Sequence, residues 1–360
     1  EVEGLAPNET AKKETLIKRL YIDLNGLPPS YQDLQYWMNN NQDEWYTLLI
    51  NALLKNPAYG EKMSIFWLDL ARYADSYGYQ DDNIRTQWPW RDWVIHAFNK
   101  NMHYDDFVVQ QLAGDLLPNK TKETILATAF LRNHKYTEEG GVIEEEYRVT
   151  NNVDKTKTYG KAILGVTIEC AQCHDHKYDP FSNKDYYQLY AFFNMSKEKG
   201  YEGDVSISTP AKTPKLFITE QDRKNFLTYI NTKDTSTLEV SVMGDTSRPT
   251  YILSRGRYDA PTTEVKPIAL ETILPFDTTK YQRNRLGLAK WTVDKKNPLT
   301  ARVFVNFIWQ ELFGKGLVKT SGDFGLQGEM PIYQELLDWL AVDFMEHQWD
   351  IQYLIKKIVQ

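Results

Sequence analysis

The chain has 360 residues, 42% hydrophobic and 25% charged, which is the composition of an ordinary globular protein with enough length for two cores or one core and a large appendage. Its net charge of −7, without a Lys/Arg stripe, points away from nucleic acid. No apolar run approaches the roughly 18 residues a bilayer span needs, so no transmembrane span is expected. Aromatic residues are abundant, with 23 Tyr and 10 Trp, as core and rim residues or as rings that stack on a sugar.

In chain order, Leu16, Ile17, Leu20 and Ile22 give an apolar stripe that predicts a helix over 9–24, stopped by Asn25-Gly26-Leu27-Pro28-Pro29. Ser30-Tyr31-Gln32-Asp33 is a capping start for a second helix, and Asp43 is expected to cap a third that ends at Asn56-Pro57. A fourth is expected from Tyr59 to Asp75. Residues 75–93 then read as an aromatic loop, in which Trp88 and Trp90 are candidates to wall a cofactor or line a groove, against a plain loop folded over the core. Helices resume at 91–100, 104–113 and 122–132. His134, among ionisable neighbours, is a candidate acid/base or distal metal ligand beside the bland reading of a satisfied structural histidine. Glu139 is a candidate general acid/base, with Glu145 as a second.

A helix over about 144–170 is expected to deliver the most informative stretch, Cys170-Ala171-Gln172-Cys173-His174, which runs on as Asp175-His176. It holds both cysteines and two of the six histidines. Cys-x-x-Cys-His is the spacing of covalent c-type haem attachment: two thiols reach the two vinyl groups of one porphyrin, and the adjacent imidazole of His174 becomes the proximal iron ligand. Rival readings are a Zn²⁺ held by Cys170, Cys173, His174 and His176, and a dithiol or disulfide pair. In the haem reading His176 lies too close in sequence to reach the opposite face of the iron, which leaves it a hydrogen-bonding role beside the site or a separate metal. A single covalent haem c implies attachment outside the cytoplasmic membrane, hence a periplasmic or extracellular bacterial protein.

Ser182-Asn183-Lys184-Asp185 caps an aromatic helix carrying Tyr186, Tyr187, Leu189, Tyr190, Phe192 and Phe193. Between 200 and 280 the pattern turns to short alternating runs, read as a small β-containing connector with a hairpin across Met243-Gly244-Asp245 to Arg248-Pro249. Helices are expected at 281–293, from Asn297-Pro298-Leu299-Thr300 through Phe313, and from Pro331 as a first-turn proline. The glycines between 314 and 328 lack the phosphate-loop pattern. Glu1 reads as a trimmed start and Gln360 falls inside an amphipathic pattern, so a longer natural chain is expected. The fold class is therefore mainly α: a helical haem-binding domain at 1–200, a β-containing connector at 201–280 and a second helical region at 281–360.

Several long motifs carry a resemblance. Phe66-Trp67-Leu68-Asp69-Leu70-Ala71-Arg72-Tyr73-Ala74-Asp75, Trp88-Pro89-Trp90-Arg91-Asp92-Trp93, Gln111-Leu112-Ala113-Gly114-Asp115, Arg132-Asn133-His134 with Glu139-Gly140-Gly141, and Cys170 to Pro180 resemble the DUF1549 family. Arg283-Asn284-Arg285-Leu286-Gly287, Asn297-Pro298-Leu299-Thr300-Ala301-Arg302 and Gly322-Asp323-Phe324-Gly325 resemble the start of the companion DUF1553 domain, with Phe307 where that pattern has Arg. These are planctomycete cytochrome-c-associated proteins. The resemblance implies an exported, haem-associated protein in the setting of polysaccharide breakdown, a redox enzyme or electron-transfer component whose counterpart is a redox partner protein or a carbohydrate. The alternative is a zinc-holding carbohydrate-binding or hydrolytic module.

Overall fold

Local signals set most helix ends. The computed structural model of the chain describes residues 8–203, 206–227 and 234–360, so the Glu1 start lies outside the described residues. α1 (Lys13–Asn25) closes where Gly26 takes φ 77° and returns its N–H to Ile22 O, a conformation that costs glycine nothing. α2 (Tyr31–Asn39) starts at Ser30, whose hydroxyl accepts the Asp33 N–H as expected. α3 (Trp45–Leu54) starts after Glu44 with no side-chain cap, so the expected Asp43 cap is not formed. α4 (Ala58–Leu70) stops short of the expected Asp75, because Arg72 takes φ 57° and turns the chain out of the helix.

The expected aromatic loop is in part helix. α5 (Trp88–Asn99) takes Trp88-Pro89-Trp90 as its first turn, where proline lacks only an N–H that has no partner there. α6 (Tyr104–Ala113) and α7 (Lys122–Ala127) follow, the latter continuing as a 3₁₀ turn through Arg132. α8 (Glu144–Tyr159) begins with the three acidic residues that suit a helix N-terminus. α9 (Asn183–Asn194) starts with a full capping box at Ser182 and Asp185.

The connector contains strands, paired differently from the expected hairpin. β1 (Lys215–Ile218) leads into α10 (Glu220–Phe226) and pairs antiparallel with β2 (Leu238–Ser241). β3 (Thr250–Leu253) pairs with β4 (Pro261–Val265), so 238–241 and 250–253 belong to separate two-stranded sheets. The alternation of short apolar runs marks strands but not their partners. α11 (Arg285–Thr292), α12 (Thr300–Phe313), α13 (Gln334–Glu346) and α14 (Ile351–Val359) complete the chain. Pro331 lies ahead of α13 rather than in its first turn.

Among the described residues there are fourteen α-helices, and none is long and apolar enough to cross a membrane. One apolar core joins the N-terminal helices to the last four. Phe304 of α12 stacks on Tyr104 of α6 at 3.7 Å between centroids and on Phe344 of α13 at 5.6 Å. Such ring pairs contribute about 0.5–1.5 kcal/mol beyond area burial. Tyr159 and Thr292 share a buried hydroxyl hydrogen bond of 2.7 Å between α8 and α11. This packing is the frame that carries the cysteine loop.

Candidate functional site

The cysteine motif does not sit at the end of a long helix, as the apolar pattern through 170 predicts. α8 ends at Tyr159, a π turn runs over Gly160–Leu164, and Gly165 takes φ 59°. A side chain at Gly165 would meet Val303 Cγ2 at 2.7 Å and Phe324 Cδ2 at 2.9 Å, so only glycine lets the chain turn this close to α12. Gly165 O then accepts the Phe324 N–H at 2.6 Å. The chain enters a single 3₁₀ turn, Glu169–Gln172, with Cys173 as its cap.

Within that turn Ala171 is fully buried while Cys170 and Cys173 are exposed, both as free thiols. Burying one methyl group between them fixes the turn and leaves the sulfurs outside. Asn183 Nδ2 donates to Ala171 O at 2.7 Å and to Gln172 O at 3.1 Å, and the Tyr187 hydroxyl donates to Gln172 O at 3.0 Å. The first residue of α9 thus caps the carbonyls that the short turn leaves open. From the connector, Gly256 (φ 73°) closes on the other side: a Cβ there would lie 3.2 Å from Cys173 Sγ.

His174 is exposed, and its Nδ1 lies 2.7 Å from Asp175 O. Nδ1–H donates to that carbonyl, which leaves the Nε2 lone pair free. His176 behaves differently. Its side chain is 4% exposed and Nδ1 accepts the Asp179 N–H at 2.8 Å, so the ring proton belongs on Nε2. Asp179 Oδ2 lies 3.6 Å from the same nitrogen, too far for a hydrogen bond, and the shorter N–H contact sets the tautomer. Asp179 Oδ1 in turn accepts the Leu326 N–H at 2.6 Å, in a niche that a Cβ on Gly325 would fill. His176 and Asp179 thereby pin the loop to the C-terminal region. Among the described residues no group of three or more His, Cys, Asp or Glu side chains is placed to hold a metal ion.

The other sequence candidates lie elsewhere. Trp90 is fully buried, its ring walled by Tyr73 and Phe130 at 6.2 Å each, and Trp88 is half-buried in the same first turn of α5. Glu139 is half-buried and accepts the Gln80 N–H at 3.2 Å. Glu145 pairs with Arg148 on α8, whose hydrogen bonds hold its carboxyl below the ordinary range. His134 is buried, with Nδ1 at 2.7 Å from Lys135 O and Nε2 facing Glu198 Oε1 at 2.8 Å; a neutral ring has one N–H and can donate to only one of these two acceptors.

Glu198 is the centre of a buried ionic cluster that sequence reading misses. Arg132 Nε lies 3.4 Å from it, Lys155 Nζ forms an ion pair with it, and Asn151 Nδ2 donates to it at 3.0 Å. Burial alone would raise the Glu198 carboxyl; Arg132, Lys155 and His134 together hold it well below its usual value. Burial lowers Lys155 to about 8 and His134 to about 4, so His134 is neutral at pH 7. In sequence, Glu198 sits in Lys197-Glu198-Lys199, a run that reads as a solvated surface, and only the fold turns it inward.

Fold and loop define a class: a helical protein that presents two thiols and an unencumbered imidazole nitrogen from one short turn at its surface. The family follows from comparison. A family model described as "Protein of unknown function (DUF1549)", PSCyt2, matches residues 1–198, more than half of the chain, and the chain belongs to that family. Residues 284–360 match the model described as "Protein of unknown function (DUF1553)", PSD1. Neither the curated proteins nor the solved structures contain a match.

Proposed function

We propose that this chain is an exported c-type haem protein that carries electrons, with Cys170 and Cys173 anchoring one haem and His174 as the axial ligand on the protein side. The observation that carries this reading is His174: its Nδ1 is tied to Asp175 O at 2.7 Å, which orients the ring and leaves Nε2 as the ligating atom. The residues present fit the group. Both thiols are free and exposed, and beside Gln172 lies a cavity of about 540 Å³ walled by Val149, Val153 and Tyr258 together with the charged Glu146, Arg257 and Asp259. Each thiol would add across one vinyl group, its sulfur bonding one carbon and its hydrogen the other, with no net oxidation.

The haem, once bound, supplies the one-electron couple. The chain's own contribution is to fix the turn through Ala171 and Asn183, to orient His174, and to lock the loop base through His176 and Asp179. His134 takes no part as a distal ligand in this reading, because its ring is buried with Nδ1 against Lys135 O and Nε2 facing Glu198. The zinc alternative gains no support from a His176 ring that is buried and bound at Nδ1. Carbon monoxide binding to the reduced protein would distinguish a redox enzyme with an accessible iron from a pure electron carrier. The proposed counterpart, on the family resemblance, is a redox partner protein or a carbohydrate substrate outside the cytoplasmic membrane.

The test is production in a bacterial periplasm with a c-type maturation system. The expected product keeps a Soret band on the polypeptide after acid–acetone extraction, and a shift of that band when carbon monoxide is added to the reduced protein marks an accessible iron. A Cys170→Ser, Cys173→Ser double variant should lose the covalent colour while keeping its helical circular dichroism. A colourless wild-type product with two free thiols, alongside a control cytochrome that matures, would refute the reading.

A further inference from the structure

A second site lies where α4 ends, lined by residues the haem reading does not use. Arg72 takes φ 57°, a left-handed backbone that a non-glycine side chain adopts only when its surroundings hold it there. It lines a cavity of about 410 Å³ together with Tyr77, Arg85, Asn133, His134 and Asp154, a volume within the roughly 300–1,000 Å³ usual for small-molecule sites. Arg72 Nη1 forms an ion pair with Asp154, but its Nε and Nη2 are buried and without a partner among the described residues. That edge of a guanidinium carries two parallel N–H groups, the pair that grips two oxygens of a carboxylate, sulfate or phosphate.

Arg85 adds a second cation. Its side chain is buried and its three hydrogen bonds go to backbone carbonyls: Ala74 O and His134 O at 2.9 Å and Asn133 O at 3.1 Å. Among the described residues no carboxylate pairs with it. His134 contributes no charge at pH 7, and Asp154 is the one carboxylate lining the cavity. The cavity is therefore positive. Burial, and then the neighbouring Arg85, act to lower the Arg72 guanidinium, while the Asp154 carboxylate pairs with it at Nη1. Asn133 Oδ1, also buried and unpartnered, offers an acceptor for a ligand hydroxyl.

We propose that this cavity binds a small organic oxyanion, with Arg72 Nε and Nη2 holding two of its oxygens and Arg85 supplying the second positive charge. Removing a ligand's charged head from water is offset only where donors are already in place, and here two stand ready without a competing protein acceptor. No residue of the cysteine turn lines this cavity, although Thr150 of α8 lines both it and the cavity beside Gln172.

Calorimetric titration of the full chain with sodium D-glucuronate, inorganic sulfate and inorganic phosphate, each against chloride at matched ionic strength, tests it. At least one probe should bind saturably, and the strongest identifies the head group. Arg72→Lys, which keeps the charge and loses the fork, should weaken that binding at least tenfold, and Arg72→Gln should abolish it. Lys55→Gln, a change at an exposed residue that does not line the cavity, should leave it unaltered. Absence of saturable binding by all three probes to the wild type would overturn the proposal. So would an Arg72→Lys protein with wild-type melting that binds as the wild type does, a criterion that holds even if Arg72→Gln fails to fold.

Discussion

At the scale of single residues, the Glu198 cluster gives the chain a defined acid weakness. His134 titrates near 4 in the folded protein and near 6.5 unfolded, so the unfolded state binds the extra proton between those values. The His134 contribution is fully present above about pH 6.5 and is lost as pH falls toward 4, by roughly 3 kcal/mol. Urea unfolding measured from pH 7.5 to 4 should show the loss, and His134→Gln should flatten the curve across that window; parallel curves for the two proteins would rule the account out. His134 stood out in the sequence through its ionisable neighbours, but its partner was not visible there. Arg132, Lys155 and Glu198 come from three separate segments, and only tertiary packing removes them from water together. Arg72 gave a weak local signal, a cation at the end of an apolar helix, which a helix dipole explains without invoking any site.

The element that matters most is the turn from α8 into the cysteine motif. Gly165→Ala should destabilise the protein by about 2 kcal/mol, from the left-handed backbone and from a Cβ placed 2.7 Å from Val303 Cγ2. Ser182→Ala removes the cap of α9 and should cost about 1 kcal/mol. Urea midpoints order the two, and a Gly165→Ala protein as stable as wild type would show that the turn is not held as described. The capping box at Ser182 was legible because its atoms are adjacent in sequence. The break after Tyr159 was not, since Ile163, Leu164 and Val166 continue a helical apolar pattern while Gly165 answers to α12, far along the chain. The connector failed in the same way: strands could be read from alternation, but partners could not.

Across the whole molecule, the two family regions and the connector meet at one buried cation. Arg285 of α11 is fully buried and donates to Asp115 at 2.9 and 2.6 Å, to Asp245 at 2.8 and 2.6 Å, and to Leu112 O at 2.7 Å. Arg285→Met leaves two carboxylates facing each other without their counter-ion, and should destabilise the fold by about 3–5 kcal/mol. Limited proteolysis should then cut within 266–284 far faster than in the wild type. A loss below about 1 kcal/mol, with unchanged proteolysis, would mean that the regions are held by the aromatic packing around Tyr104 and Phe304 alone. The mainly helical class was legible throughout, from apolar periodicity. That the three stretches share one core was not, because sequence motifs mark segments and say nothing of the faces between them.

The central claim is that the only two thiols of the chain hold a haem, with His174 beneath it. Intact mass of the protein matured in a bacterial periplasm tests this most directly. The account predicts a mass increase equal to one haem that survives denaturation and disappears in the Cys170→Ser, Cys173→Ser variant. A polypeptide of unmodified mass, recovered beside a properly matured control cytochrome, would contradict it.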